Sequence, residues 1–139
     1  MTTAIDTCVL MDIVQGSRPH SLPSAEAVAR AGRQGQLVIV EVVYAELASF
    51  MRQRRLLDAM LDQMGIDVTA LGRDTAYDAG RFFAAYRRSG GARSRILADF
   101  LIAAHALTHA DRLLTRDRGF YREYFAELPI MDAAAEPEP

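Results

Sequence analysis

Four acidic side chains lie in unusually apolar parts of this 139-residue sequence, where an unpaired charge is costly. Asp6 and Asp117 each follow a short apolar run, Glu46 shares a helical face with valine and phenylalanine, and Asp99 is the only charge in segment 97–107. Crowded carboxylates repel one another unless a cation lies among them. Carboxylate oxygens without histidine or cysteine suit Mg²⁺ or Mn²⁺, which bind phosphate oxygens and activate water. The set therefore predicts metal-assisted chemistry on phosphate esters.

Each of these acids also has a purely structural interpretation. Asp6 is a favourable helix N-cap, and Asp99 in the first turn of a helix is stabilised by the helix dipole by a few tenths of a kcal/mol. Asp117 alone is an ordinary loop acid. Glu46 has three potential arginine partners nearby, namely Arg52, Arg54 and Arg55. For each residue taken singly, both interpretations stay open.

The elements that must position these acids alternate between strands and helices. Apolar runs, several of them rich in β-branched residues, predict strands that end near residues 6, 40, 69 and 115, with an edge strand over 128–131. Helical patterns cover 8–14, 23–33, 42–54, a segment ending at 64, 74–88, 97–109 and about 119–126. This alternation predicts an α/β fold with a central parallel sheet of four to five strands flanked by helices. Ligands bind at the carboxyl ends of such strands, so the four acids are expected to meet there.

Length and composition indicate one domain over residues 1–131, followed by an acidic, proline-rich tail over 132–139 that we expect to be disordered. The 16 basic residues are all arginine and are outnumbered by 18 acidic ones, which excludes binding to nucleic acid through bulk charge. No apolar run approaches the ~20 residues of a membrane span, and the first residues lack a signal-peptide pattern. We therefore expect a cytoplasmic protein without a membrane partner.

Four segments resemble, in order and spacing, the motifs of PIN-domain ribonucleases, and most closely those of VapC-type toxins of bacterial toxin–antitoxin pairs. They are IDTCVLMD (5–12), VYAEL (43–47), LADFLIAAHA (97–106) and LTRDRGF (114–120). The resemblance covers nearly the whole chain up to about residue 131. It implies a single PIN-like domain with Mg²⁺- or Mn²⁺-dependent endoribonuclease activity on RNA phosphodiesters. It also implies a cognate antitoxin and a homodimer.

The resemblance assigns roles to individual residues by motif match. It makes Asp6 and Asp99 metal ligands, Glu46 the residue that completes the acidic cluster, and Asp117 a metal ligand either directly or through water. Thr115 matches the small hydroxyl residue before the last acid and is grouped with the substrate-binding residues. Cys8 departs from the family, which usually carries an asparagine there. A thiol orients a neighbouring carboxylate poorly, so we interpret Cys8 as a small buried hydrophobe.

The densest basic stretch, residues 87–95, leads directly to Asp99. Its arginines, Arg87, Arg88, Arg93 and Arg95, have two interpretations: a solvated helix end with its loop, or a segment that binds RNA phosphates. We favour RNA contact, because the stretch contains no acid and reaches the expected site.

Two other functions compete with the toxin hypothesis. One is a PIN-like RNA-processing nuclease without an antitoxin, and the other is a catalytically weakened PIN-fold binding module. Retention of all four acids disfavours the second. His105 and His109 have the spacing of a zinc pair, but no third ligand is evident, so we interpret them as packing or surface residues.

Overall fold

A five-stranded parallel sheet forms the centre of the molecule, which is described by a computed structural model over residues 1–16, 19–91 and 96–134. The strands are β1 (Thr2–Ile5), β2 (Gln36–Val40), β3 (Ile66–Thr69), β4 (Arg112–Thr115) and β5 (Ile130–Asp132). Their order is β3-β2-β1-β4-β5, and every neighbouring pair is parallel. The predicted α/β class and parallel sheet are confirmed.

Seven helices within the described residues flank the sheet. They are α1 (Thr7–Gln15), α2 (Ser21–Gln34), α3 (Glu41–Phe50), α4 (Arg54–Met64), α5 (Arg73–Arg88), α6 (Leu97–His109) and α7 (Arg118–Tyr124). The bounds of each helix agree with those of a predicted helical segment to within a few residues. The largest difference is at α3, which ends at Phe50 and not near residue 54. Met51 has an extended backbone and packs against the core, so the chain turns before α4 begins.

The three inner strands are apolar because both faces of the sheet are covered by helices. The side chains of β1, β2 and β4 are almost all buried, as expected for parallel strands covered on both sides. The middle of helix α6 is buried, as its continuous apolar sequence predicts, and its two ends are more exposed. Phe100 of α6 contacts Phe83 and Tyr86 of α5 and Phe120 of α7. This aromatic cluster fixes the start of α6 next to the carboxyl ends of the strands.

The end of the domain lies slightly beyond the predicted boundary at residue 131. Asp132 is the last residue of β5, and Ala133 is buried and donates its N–H to the carbonyl of Thr115. These residues are therefore part of the sheet edge, because pairing with β4 continues through them. The rest of the predicted tail, residues 135–139, lies outside the described residues. None of the helices in the described ranges is long and apolar enough to cross a membrane.

His105 is buried on α6, where its Nε2 lies 2.7 Å from the hydroxyl of Thr69. Burial, together with the neighbouring His109, lowers the pKa of His105 to about 4. The ring is consequently neutral at physiological pH and serves as a packed polar residue. The structure agrees with the packing interpretation of His105, and His109 is exposed.

We expect the His105→Gln variant to lose part of the acid sensitivity of the wild-type fold. The folded-state pKa of His105 is about 4 and the ordinary value is 6.5, so between these values the unfolded chain binds more protons than the folded one. Stability contributed by neutral His105 is therefore complete above pH 6.5 and is lost as the pH falls towards 4. The loss amounts to roughly 3 kcal/mol.

Chemical denaturation between pH 4 and 7.5 measures this difference. The exposed His20→Gln variant is the control and should follow the wild type. If the stability of His105→Gln has the same pH dependence as that of the wild type, His105 is not the source of this acid sensitivity.

Candidate active site

Asp6 lies where β1 ends and α1 begins, at the centre of the sheet edge. Its backbone N–H continues the pairing with β4 by donating to the carbonyl of Leu114 (2.9 Å). The side chain is only 6% exposed, although it is a carboxylate. Oδ1 accepts the N–H of Thr7 (2.8 Å), and Oδ2 accepts the hydroxyls of Thr115 (2.8 Å) and Tyr121 (3.1 Å). Three donors from different parts of the chain therefore fix the orientation of this buried charge.

The electrostatic environment of Asp6 contains opposing effects. Burial raises the pKa of the Asp6 carboxyl above its ordinary value, and the negative charge of Asp99 raises it further. The hydrogen bonds from Thr115, Tyr121 and Thr7 act in the opposite direction. Asp99 is thus close enough to repel Asp6. Two such carboxylates form an arrangement that a bound cation relieves.

Asp99 occupies the third position of α6, in the first turn of the helix as predicted. Its Oδ2 accepts the backbone N–H of Ile96 (3.1 Å), so the side chain caps the helix that carries it. The same half-buried carboxylate acts on Asp6 across the site. This capping hydrogen bond fixes the position of Asp99 and involves only one of its two carboxylate oxygens.

Glu46 reaches the site from α3 through Thr7. The Thr7 hydroxyl donates to Glu46 Oε1 over 2.7 Å, and Thr7 directly follows Asp6. Arg54, one of the arginines considered as a partner for Glu46, instead pairs with Asp58 on its own helix (3.3 Å). Glu46 is therefore linked to the residue next to Asp6.

Asp117 follows β4 and is linked to Asp6 through Thr115. The Thr115 hydroxyl donates to Asp6 Oδ2 and accepts the backbone N–H of Asp117 over 2.9 Å. Thr115 has no exposed surface. A side chain without exposed surface supports Asp6 from behind.

Three of the four predicted acids follow β1, β2 and β4 along the chain and the fourth lies in the first turn of α6, and they do not form a closed metal cage. Within residues 1–16, 19–91 and 96–134, no three histidine, cysteine, aspartate or glutamate side chains are arranged so that they could hold a metal ion. The tightest association is between Asp6 and its hydroxyl donors, with Asp99 nearby and Glu46 connected through Thr7.

Cys8 lies behind Asp6 and contacts the residues that support it. Its Sγ is 3.7 Å from the Thr115 hydroxyl and lies near the backbone of Arg116. Burial, together with the charge of Asp6, raises the pKa of Cys8 to about 12. Cys8 therefore stays a protonated thiol, which is consistent with a packing residue and not with a nucleophile.

Two of the predicted RNA-binding arginines lie in the described residues. Arg87 and Arg88 are exposed in the last turn of α5, and the Arg87 guanidinium lies 5.7 Å from the ring centre of Phe83. Because residues 89–96 connect α5 directly to α6, these arginines lie a short chain distance before the helix that carries Asp99. Arg93 and Arg95 lie outside the described residues.

Sequence reasoning missed Thr7 and Tyr121 as supports of the site. Thr7 is next to Asp6, so its proximity was available from the motif, but its bond to Glu46 joins residues 39 positions apart. Tyr121 lies one helical turn after Asp117, which was the only local signal for it. Burial and the charges of Asp6 and Asp99 raise the pKa of Tyr121, so the phenol remains a hydrogen-bond donor.

The predicted acids lie near the carboxyl ends of the parallel strands, the part of an open α/β sheet where ligands generally bind. The family model of the PIN domain matches residues 3–126. This match covers most of the chain, and the protein belongs to the PIN-domain family.

Several solved structures share this fold over nearly their whole length. VapBC-1 from nontypeable Haemophilus influenzae matches with a TM-score of 0.74 and 20% identity, covering 97% of this chain and 100% of that one. VapBC2 from Rickettsia felis, bound to a DNA fragment from its promoter, gives 0.69 and 19%, with 95% and 98% covered. FitAcB from Neisseria gonorrhoeae gives 0.62 and 18%, with 94% and 97% covered. At these identities the likeness shows a common fold. No curated protein sequence matches the chain.

The Tyr121→Phe variant tests whether the phenol stabilises the Asp6 carboxylate. A hydrogen bond to a charged group contributes about 1.5–3 kcal/mol, so we expect the free energy of unfolding at pH 7 to fall by that amount. Tyr124→Phe in the same helix is the control, because the Tyr124 side chain is partly exposed and its ring contacts survive the change. Urea denaturation measures both. Equal stabilities of the two variants would show that the Tyr121 hydroxyl contributes nothing to the fold.

Proposed function

We propose that this protein is a metal-dependent endoribonuclease and the toxin component of a type II toxin–antitoxin pair. The observation that carries the proposal is the buried Asp6 carboxylate, which is held by three donors at the end of the central strand with Asp99 beside it. Membership in the PIN-domain family supports a nuclease. The likeness to VapBC structures supports the toxin assignment.

The donor set fits Mg²⁺ or Mn²⁺. Asp6 and Asp99 offer hard carboxylate oxygens whose mutual repulsion a divalent cation relieves. Such ions keep several waters and use substrate phosphates as ligands, so a few protein carboxylates suffice. Asp117 adds a ligand directly or through water. When bound, the metal lowers the pKa of a water molecule and stabilises negative charge on the phosphate oxygens.

The other residues of the site orient these carboxylates. Thr115 and Tyr121 both donate to one oxygen of Asp6. These two hydrogen bonds fix the orientation of the carboxylate, and therefore the direction in which its remaining lone pairs face a metal ion. Thr7 holds Glu46 close to Asp6. Glu46 thereby adds a carboxylate that accepts a hydrogen bond or a proton from the attacking water. This preorganisation reduces the rearrangement that hydrolysis requires.

Arginines at the end of α5 provide the expected contact with RNA. Arg87 and Arg88 carry positive charge on an otherwise slightly acidic protein of net charge −2, so attraction to the RNA backbone is local. Phosphate contacts of this kind position the chain without selecting its sequence. In this proposal Arg93 and Arg95 extend the same contact.

Cleavage of total cellular RNA tests the nuclease directly. We expect discrete fragments with Mg²⁺ or Mn²⁺, none with chelator, and activity lowered by at least about 100-fold in Asp6→Asn and Asp99→Asn, because each change removes a charged ligand. Asp62→Asn, which changes an exposed acid on α4, is the matched control and should cleave normally.

Thermal denaturation gives a second readout that does not require the right RNA. Mn²⁺ at about 100 times its dissociation constant should stabilise the wild type by about 2.7 kcal/mol and the two aspartate variants much less. Metal binding without cleavage would indicate a narrow substrate range. If the protein neither binds metal nor cleaves RNA, the nuclease hypothesis is refuted and a PIN-fold binding module remains.

An antitoxin partner and a homodimer complete the proposal. We expect expression of this chain alone to arrest bacterial growth, and co-expression with the adjacent small open reading frame to restore it. The Asp6→Asn chain should be harmless when expressed alone. Light scattering of the purified protein measures its mass against the 15.4 kDa of one chain, and a doubled mass is expected. Growth arrest that no adjacent reading frame relieves would favour an RNA-processing nuclease without an antitoxin.

A further inference from the structure

A partly buried ion pair joins α1 to the segment that carries Thr115 and Asp117. Arg116 lies between these two residues, and its guanidinium contacts both oxygens of Asp12, with distances of 2.5 Å (Nε to Oδ2) and 2.8 Å (Nη2 to Oδ1). The Asp12 side chain is 8% exposed and the Arg116 side chain 30%. Asp12 also accepts the hydroxyl of Ser24 on α2 over 2.7 Å. The pair is therefore held in one orientation from two helices.

One face of α1 contacts Arg116 at two points. Cys8 and Asp12 are four residues apart, so they project from the same side of the helix. Cys8 lies near the backbone of Arg116, and Asp12 binds its side chain with two hydrogen bonds. The side chain of Arg116 is thus fixed against α1, with its backbone close to the same helix. Because Arg116 is bonded to Thr115 and Asp117, its position restricts the positions of both neighbours.

A buried ion pair is a poor source of net stability, because the loss of hydration offsets the attraction between the charges. Its bidentate geometry, however, defines distance and angle more strictly than an apolar contact. Arg118, two residues further on, forms a more exposed pair with Asp132 through a single 3.1 Å contact. The contrast indicates that Arg116 has the stricter geometric role.

We propose that Asp12 and Arg116 are positioning residues for the candidate active site. The pair holds the end of β4 so that the Thr115 hydroxyl faces Asp6 and the Asp117 N–H stays bonded to Thr115. This inference rests on the proposed nuclease function where it concerns catalysis. The geometric part stands on the contacts alone.

The experiment compares Arg116→Gln, Arg116→Lys and Asp12→Asn with Arg112→Gln. Arg112 is the matched control because it lies at the amino end of β4, away from the candidate site. Like Arg116, it donates to side chains of two other elements, Thr3 in β1 and Gln34 in α2. Amide hydrogen exchange of Asp117, measured by NMR without RNA, reports the geometry. Single-turnover and steady-state cleavage with Mn²⁺ report kcat and KM, and denaturation reports stability.

We expect Asp117 exchange to accelerate at least about tenfold in Arg116→Gln and Asp12→Asn relative to Arg112→Gln at matched global stability. The value of kcat should fall roughly 10- to 100-fold with little change in KM, since the reacting groups are displaced and RNA contacts are kept. Arg116→Lys keeps the charge but not the bidentate geometry, so its kcat should lie between those of Arg116→Gln and wild type.

Two results would overturn the proposal. Unchanged Asp117 exchange in Arg116→Gln and Asp12→Asn would show that the pair does not fix the segment. A raised KM with normal kcat in Arg116→Gln, together with normal kinetics in Asp12→Asn, would make Arg116 an RNA contact. A wild-type protein that cleaves no RNA would refute the nuclease, and the exchange measurement would still decide whether the pair holds the segment.

Discussion

The burial of one carboxylate at the end of the central strand is the constraint on which the site depends. A charge removed from water is tolerated only if hydrogen bonds replace its hydration. Asp6 receives them from the start of α1, the end of β4 and the middle of α7. Each donor must itself be held, and this requirement explains the polar connections around the site. Thr7 is bonded to Glu46 and Thr115 to the backbone of Asp117. The position of the acids follows from the need to satisfy the most buried one.

Strand order determines which elements can supply these donors. Strand β1 lies between β2 and β4. After β1 the chain forms β2 and β3 on one side of this strand, and it then returns to form β4 and β5 on the other side. The carboxyl end of β1 is therefore the switch point at which a crevice forms in parallel sheets. Glu46 reaches this point from the β2 side and Thr115 from the β4 side, 109 residues from Asp6. The aromatic contacts of Phe100 hold the first turn of α6, and so Asp99, at the same edge.

Local sequence patterns predicted the strands and the parallel sheet, because burial and chain direction leave a periodic signal. They did not predict the partners of individual side chains. Arg116 and Arg118 flank Asp117 and have the same local context, yet one pairs with a buried aspartate of α1 and the other with the last residue of β5. Partner choice depends on which elements pack together in the fold, in the case of Arg116 across 104 residues, and local spacing does not encode it. The end of α3 was also missed, and there Met51 has an extended backbone and packs against the core.

Cys8 shows how the site differs from the ribonucleases that its motifs resemble. An asparagine at this position would offer an amide donor beside Asp6, and the thiol lies instead against Thr115 and the backbone of Arg116. Asp6 nevertheless has three donors, because the Tyr121 phenol occupies a place on its second oxygen. The orientation of the carboxylate is thus a property of the number and direction of its donors, and not of one particular residue. The support of Asp6 therefore comes from β4 and α7 as well as from the start of α1, and it depends on elements that lie more than a hundred residues after Asp6.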